Sequence, residues 1–132
     1  MQIEVLQWNI SYSCRTDRIS DFLKNQTSAP SIICLQEVLQ SSKDKIIDML
    51  KPTDHSYSLD IRPPGKFDGK NRKLGVLTMT FGGKISESHL IERCLFPERT
   101  LFTKIDFDDH LSIKILNFHS LTGAGYKRGK TS

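Results

Sequence analysis

The stretch "SIICLQ", residues 31–36, sets the first limit on the fold. It is of strand length, and its middle is apolar without polar alternation. A strand apolar on both faces needs cover on both sides, which places it inside a covered sheet.

Its neighbours agree. "IEVLQWN" (3–9) is apolar and β-prone and reads as a strand. "RTDRISDFLKNQ" sets Ile19, Phe22 and Leu23 at i, i+3, i+4 spacing, an amphipathic helix with Ser13 or Thr16 as its cap. "TSAPS" breaks the chain, and "SSKDKIIDMLKP" gives a second helix with Ile46, Ile47 and Leu50 on one face and Pro52 past its end. Strand, helix, strand, helix is a βαβ unit, with parallel strands and a right-handed crossover. The pattern then changes to successive strands: "SYSLDIR" (56–62), "KLGVLTMT" (73–80), "KISESHLIE" (84–92), "RTLFTKIDF" (99–107) and "LSIKILNF" (111–118). "FGG", "CLFPE" and "DDH" between them suit antiparallel hairpins, and "PPGKFDGKNR" (63–72) is a longer basic loop.

With 132 residues the chain fits one domain, and 37% hydrophobic against 26% charged residues suits a globular protein rather than a disordered one. A net charge of +4 is compatible with a phosphate-bearing partner without requiring one. The three cysteines, Cys14, Cys34 and Cys94, form no CxxC pair, which argues against a zinc site or a disulfide framework. Cys34 reads as a core thiol, which points to a reducing, intracellular setting. No signal peptide, membrane span or lipidation motif is found.

In parallel βαβ sheets, ligands gather at the carboxyl ends of the strands. The first strand ends in "QWNI", which puts Asn9 there, and the second in "CLQEV", which adds Glu37. A carboxylate and an amide carbonyl are hard oxygen donors of the kind Mg²⁺ takes, with water and substrate phosphate completing the octahedron. "KILNFHSL" ends a later strand at His119, a residue able to hydrogen-bond a phosphoryl oxygen or act as an acid near neutral pH. Each residue alone is equally an ordinary polar residue at a strand end.

Together, "LQWNI", "IICLQEV", "LGVLTMT", "RTLFTKIDF" and "ILNFHSL" stand in an order that resembles the endonuclease/exonuclease/phosphatase family, the relatives of deoxyribonuclease I. The resemblance runs over nearly the whole chain, and "QE" after an apolar strand is its most specific element. It implies an α/β fold: one half of a four-layer α/β sandwich, a mixed β-sheet with two helices on one face. It implies a metal-dependent phosphoesterase, a nuclease or phosphodiesterase, using Mg²⁺ or Mn²⁺. Glu37 would match the metal-binding glutamate, Asn9 the asparagine that supports the metal and phosphate site, and His119 the histidine on the scissile phosphate. Arg99 would match an arginine leading into its strand, facing substrate phosphate.

The chain also departs from the family pattern. The family's second half carries a Gly-Asp-x-Asn motif and a terminal Asp-His pair, and neither is in this sequence. "DFDDH" offers Asp109-His110, but between two short strands it reads as a turn, and it precedes the histidine strand instead of coming after it. Residues 1–132 therefore read as a single partial domain, the N-terminal half, ending before the second sheet. Its inner sheet face would be open to a homodimer partner or to the missing C-terminal half. The alternative is a non-catalytic module that pairs through that face. Partners implied are a phosphoester substrate and a nucleic acid, given Lys66, Lys70, Arg72 and Lys73 in the basic stretch 63–73.

"GAGYKRGKTS" loosely fits the P-loop pattern from Ala124, but its first glycine is an alanine and no helix comes after the Gly-Lys-Thr. It reads instead as a loop after the histidine strand, with Tyr126, Lys127 and Arg128 on a phosphate-binding rim.

Overall fold

The computed structural model describes residues 2–66 and 73–119. Tyr126, Lys127 and Arg128, and Phe67, Lys70 and Arg72 of the basic loop, lie outside the described residues. The elements run β1 (Glu4–Asn9), α1 (Thr16–Leu23), β2 (Ser31–Val38), α2 (Gln40–Leu50), β3 (Asp54–Tyr57), α3 (Ser58–Ile61), β4 (Gly75–Phe81), β5 (Lys84–His89), β6 (Thr100–Asp108) and β7 (Leu111–Phe118). No described helix is long and apolar enough to cross a membrane.

The seven strands form two sheets. The first has the order β1-β2-β4-β3, with β1 parallel to β2 and the other pairs antiparallel. The second is the antiparallel β5-β6-β7. The doubly apolar character of β2 is answered on both sides. Ile33 and Leu35 face Ile19 and Leu23 of α1 and Ile46 and Leu50 of α2 in one core. Ile32 and Cys34 face Ile85, Ile105, Ile113 and Ile115 of the second sheet in another. Leu35 is fully buried, and removing such a side chain to alanine costs about 2–5 kcal/mol. Helix layer, sheet and second sheet make a mixed α/β architecture, part of an α/β sandwich.

The structure corrects the expectation of a single sheet with an open inner face. β5 lies across β3, β6 across β4, and β7 across β2 and β4, so these strands cover the inner face themselves. Between the layers, the hydroxyls of Ser56 and Ser88 bond, and Ile85 N donates to Asp54 Oδ2 at 2.9 Å. The strand expected over 56–62 also differs: it stops at Tyr57 and turns into α3. Tyr57, Ser58 and Leu59 are all buried, and an extended strand would turn one of them away from the core. In the turn Tyr57 and Leu59 still reach the same core, and Ser58 stays buried with its Oγ accepting from Val76 N. Helix α1 begins without a side-chain cap, and Thr16 lies inside it. Ser13 Oγ instead accepts from Arg15 N just before the helix. Phe22 is more than half exposed and packs beside Trp8 instead of entering the core.

Candidate active site at the strand ends

The ends of β1, β2 and β7 meet, and a β-bulge in β2 decides what they present. Leu35 pairs with Leu77 and Val38 with Gly75, so Gln36 and Glu37 together oppose the single residue Val76. The extra residue resets the alternation. Gln36 keeps to the inner face with Ile32 and Cys34, and Val38 returns to the helix-side core. Glu37 is left at the sheet end with φ at 56°, a left-handed conformation that costs a residue with a Cβ about 1–3 kcal/mol.

The loop after β1 holds this bulge from the side. Ser11 and Tyr12 both have positive φ, and Ser13 N donates to Ile10 O, so residues 10–13 form a type I′ turn. Tyr12 N donates to Glu37 O at 2.9 Å, and Ile10 N to Gln36 O at 3.1 Å. Ser11 N donates to Asn9 Oδ1 at 2.8 Å, which turns the other end of the amide towards the carboxylate. Asn9 Nδ2 donates to Glu37 Oε2 at 2.9 Å.

His119 arrives from the second sheet. Its N–H continues the β6–β7 ladder by donating to Arg99 O at 2.9 Å. Its Nε2 stands 3.1 Å from Glu37 Oε2, close enough for an ion pair but not aligned as a hydrogen bond. Desolvation by burial pulls the His119 pKa below its ordinary 6.5, and the Arg99 charge lowers it further; Glu37 opposes both. The imidazole is therefore mostly neutral at pH 7, with one N–H to give and one lone pair.

Arg99 is buried, its guanidinium stacked 4.7 Å over the Phe96 ring, and among the described residues its Nε has no hydrogen-bond partner. With Leu95, Phe96, Phe118 and His119 it lines a cavity of about 190 Å³ beside the histidine.

The structure thus brings together Asn9, Glu37, His119 and Arg99. Asp109 and His110 form the β6–β7 turn, at the far end of β7 from His119, some 25 Å away at the rise of a strand. Two residues at the site escaped the sequence reading. Gln36 and Asn117 are both buried, and Gln36 Nε2 donates to Asn117 Oδ1 at 2.8 Å. A signal was present: Leu111, Ile113 and Ile115 set an apolar inner face, and Asn117 breaks it.

As a place for a hard cation the site offers one carboxylate. Among the described residues no group donates to Glu37 Oε1, and no cluster of three or more His, Cys, Asp and Glu exists. That donor set fits Mg²⁺ or Mn²⁺, which keep several waters and take one or two protein carboxylates, and does not fit structural zinc. Asn9 spends its carbonyl oxygen on Ser11 N, which makes it an orienting donor to Glu37 in this arrangement.

No family model matches the sequence, and no curated protein matches it. Solved structures do resemble it. A truncated TDP2 from Caenorhabditis elegans superposes with a TM-score of 0.64 at 16% identity, over 89% of this chain and 46% of that one. Another C. elegans TDP2 structure gives a TM-score of 0.63 at 18% identity, over 87% of this chain and 34% of that one. The chain thus spans less than half the length of either. At these identities the likeness is one of fold.

Proposed function

We propose that this chain carries part of a metal-dependent phosphoesterase site of the deoxyribonuclease I-like type, with Mg²⁺ or Mn²⁺ held at Glu37. The convergence of Asn9, Glu37 and His119 carries the reading: three polar side chains from three strands and both sheets meet within 3.1 Å contacts. The shared fold with TDP2, tyrosyl-DNA phosphodiesterase 2, supports it and favours a phosphodiester substrate, DNA among the candidates.

In this reading Asn9 holds the carboxylate in one rotamer and leaves Oε1 for the cation. The cation supplies Lewis-acid stabilisation of charge on phosphate oxygens when bound. Neutral His119 donates a hydrogen bond to a non-bridging oxygen, a contact of the kind worth a few kcal/mol in the transition state. Arg99, and outside the described residues Tyr126, Lys127 and Arg128, take the phosphate and its flanks. The group that activates water lies outside these residues, so the reaction belongs to the whole protein.

The test is a Mg²⁺ titration of the chain monitored by NMR, with Glu37→Ala alongside. Saturable shifts at Asn9, Glu37 and His119 that vanish in the variant support the reading. Near-full turnover by Glu37→Ala in the complete protein would overturn it. A second reading, a non-catalytic module pairing with another copy or with a C-terminal half, draws on Val5. This residue is 54% exposed on β1, an edge strand of the first sheet.

A further inference from the structure

We propose that Gln36 and Asn117 are positioning residues, a buried amide clasp that sets the separation of Glu37 and His119. The proposal rests on the phosphoesterase reading above. Glu37 comes directly after Gln36, and His119 lies two residues beyond Asn117, so the clasp sits just behind the pair that must meet.

Its hydrogen bonds span both sheets. Gln36 is 3% exposed and Asn117 1%. Gln36 Nε2 donates to Asn117 Oδ1 at 2.8 Å. Asn117 Nδ2 reaches Leu77 O at 2.9 Å, Thr78 Oγ1 at 3.1 Å and Leu35 O at 3.4 Å. A single side chain of β7 is thereby tied to β2 and β4 where the bulge interrupts their ladder.

The other hydrogen bonds between the sheets, Ser56 with Ser88 and Ile85 N to Asp54 Oδ2, join β5 to β3 and do not hold β7. Ile32, Cys34, Ile105, Ile113 and Ile115 pack by apolar burial, which is non-directional and tolerates small slips between layers. Hydrogen bonds fix distance and angle. Glu37 is held in a strained left-handed conformation, and His119 ends an edge strand of the other sheet. Without a directional tie, a slide of β7 along β2 moves the imidazole off the carboxylate while leaving the core buried.

The experiment uses Mn²⁺ as a paramagnetic probe on the 132-residue chain, read by NMR. In the unsubstituted chain, Mn²⁺ at Glu37 should broaden the His119 ring protons ahead of those of His55, His89 and His110. Gln36→Leu removes the clasp but keeps the volume. It should lose that selectivity while retaining native amide dispersion. If Gln36→Leu unfolds, Gln36→Asn, one methylene short, carries the same expectation. Exchanging the two amides (Gln36→Asn with Asn117→Gln) restores the complementary groups and should bring the selective broadening back. Selective broadening kept in folded Gln36→Leu or Gln36→Asn overturns the clasp and leaves the metal reading standing. An exchange variant that folds yet stays unselective also counts against the clasp. No selective broadening in the unsubstituted chain overturns the metal reading and the clasp with it.

Discussion

Asn9 and Glu37 end two parallel neighbouring strands, and the Asn9 amide donates to the Glu37 carboxylate over 2.9 Å. Its other end is held by Ser11 N, so the amide cannot turn without losing that hydrogen bond. A carboxylate fixed in this way presents its free oxygen in one direction. Groups that orient a metal ligand typically account for about 10–100-fold in metal affinity. Asn9→Ala is therefore expected to weaken Mg²⁺ or Mn²⁺ binding by about that factor, measured by calorimetric titration. An unchanged affinity would remove Asn9 from the site.

His119 titrates under three opposing influences. Burial and Arg99 lower its pKa, and Glu37 raises it. In the metal-free chain, NMR titration should place His119 below 6.5, the ordinary value. Glu37→Gln removes the raising charge and should move the midpoint lower still. Arg99→Met removes a lowering charge and should move it higher. Between the folded and unfolded midpoints the unfolded chain holds more protons, so stability falls as pH drops through that window. Opposite movement in either variant would mean that the three groups do not share a site.

Much of the fold and the site was legible in the sequence for a physical reason. The apolar run at 31–36 demanded cover on both faces, and strand ends placed Asn9 and Glu37 on one rim, while only the family resemblance joined His119 to them. The division into two sheets was not legible, because strand periodicity reports which face is buried and not which sheet a strand joins. The bulge was hidden as well. It depends on Glu37 taking a left-handed backbone that only tertiary hydrogen bonds from Tyr12 and Ile10 sustain. Gln36 and Asn117 satisfy each other across the layers, and no local pattern pairs residues so far apart.

Cysteine reactivity reports the packing between the sheets. Cys34 is buried in the inter-sheet core, and burial pushes its thiol up to about 11, with the Thr78 side chain pulling slightly down. At pH 8 about a thousandth of it is thiolate, and access is blocked besides. Cys14 and Cys94 are exposed. A disulfide reagent should therefore titrate two of the three thiols rapidly in the native chain and the third only on unfolding. Rapid reaction of all three would mean that β5–β7 do not cover the first sheet.

Gly75 tests the bulge through stability. It pairs with Val38 just past the two bulged residues, and a Cβ there would lie 2.8 Å from Ser58 Oγ and 2.9 Å from both Leu59 Cγ and Tyr57 Cε1. None of these neighbours can withdraw easily. Ser58 Oγ is held by Val76 N, and the Tyr57 hydroxyl donates to Val38 O. Overpacking of this kind costs about 1–3 kcal/mol. Gly75→Ala should lower the denaturant midpoint accordingly. It should also weaken metal binding more than an equally destabilising change in α1, such as Ile19→Val, because the displaced Tyr57 holds Val38 beside Glu37. Equal metal affinity in the two variants, at matched stability, would show that the bulge geometry does not govern the site.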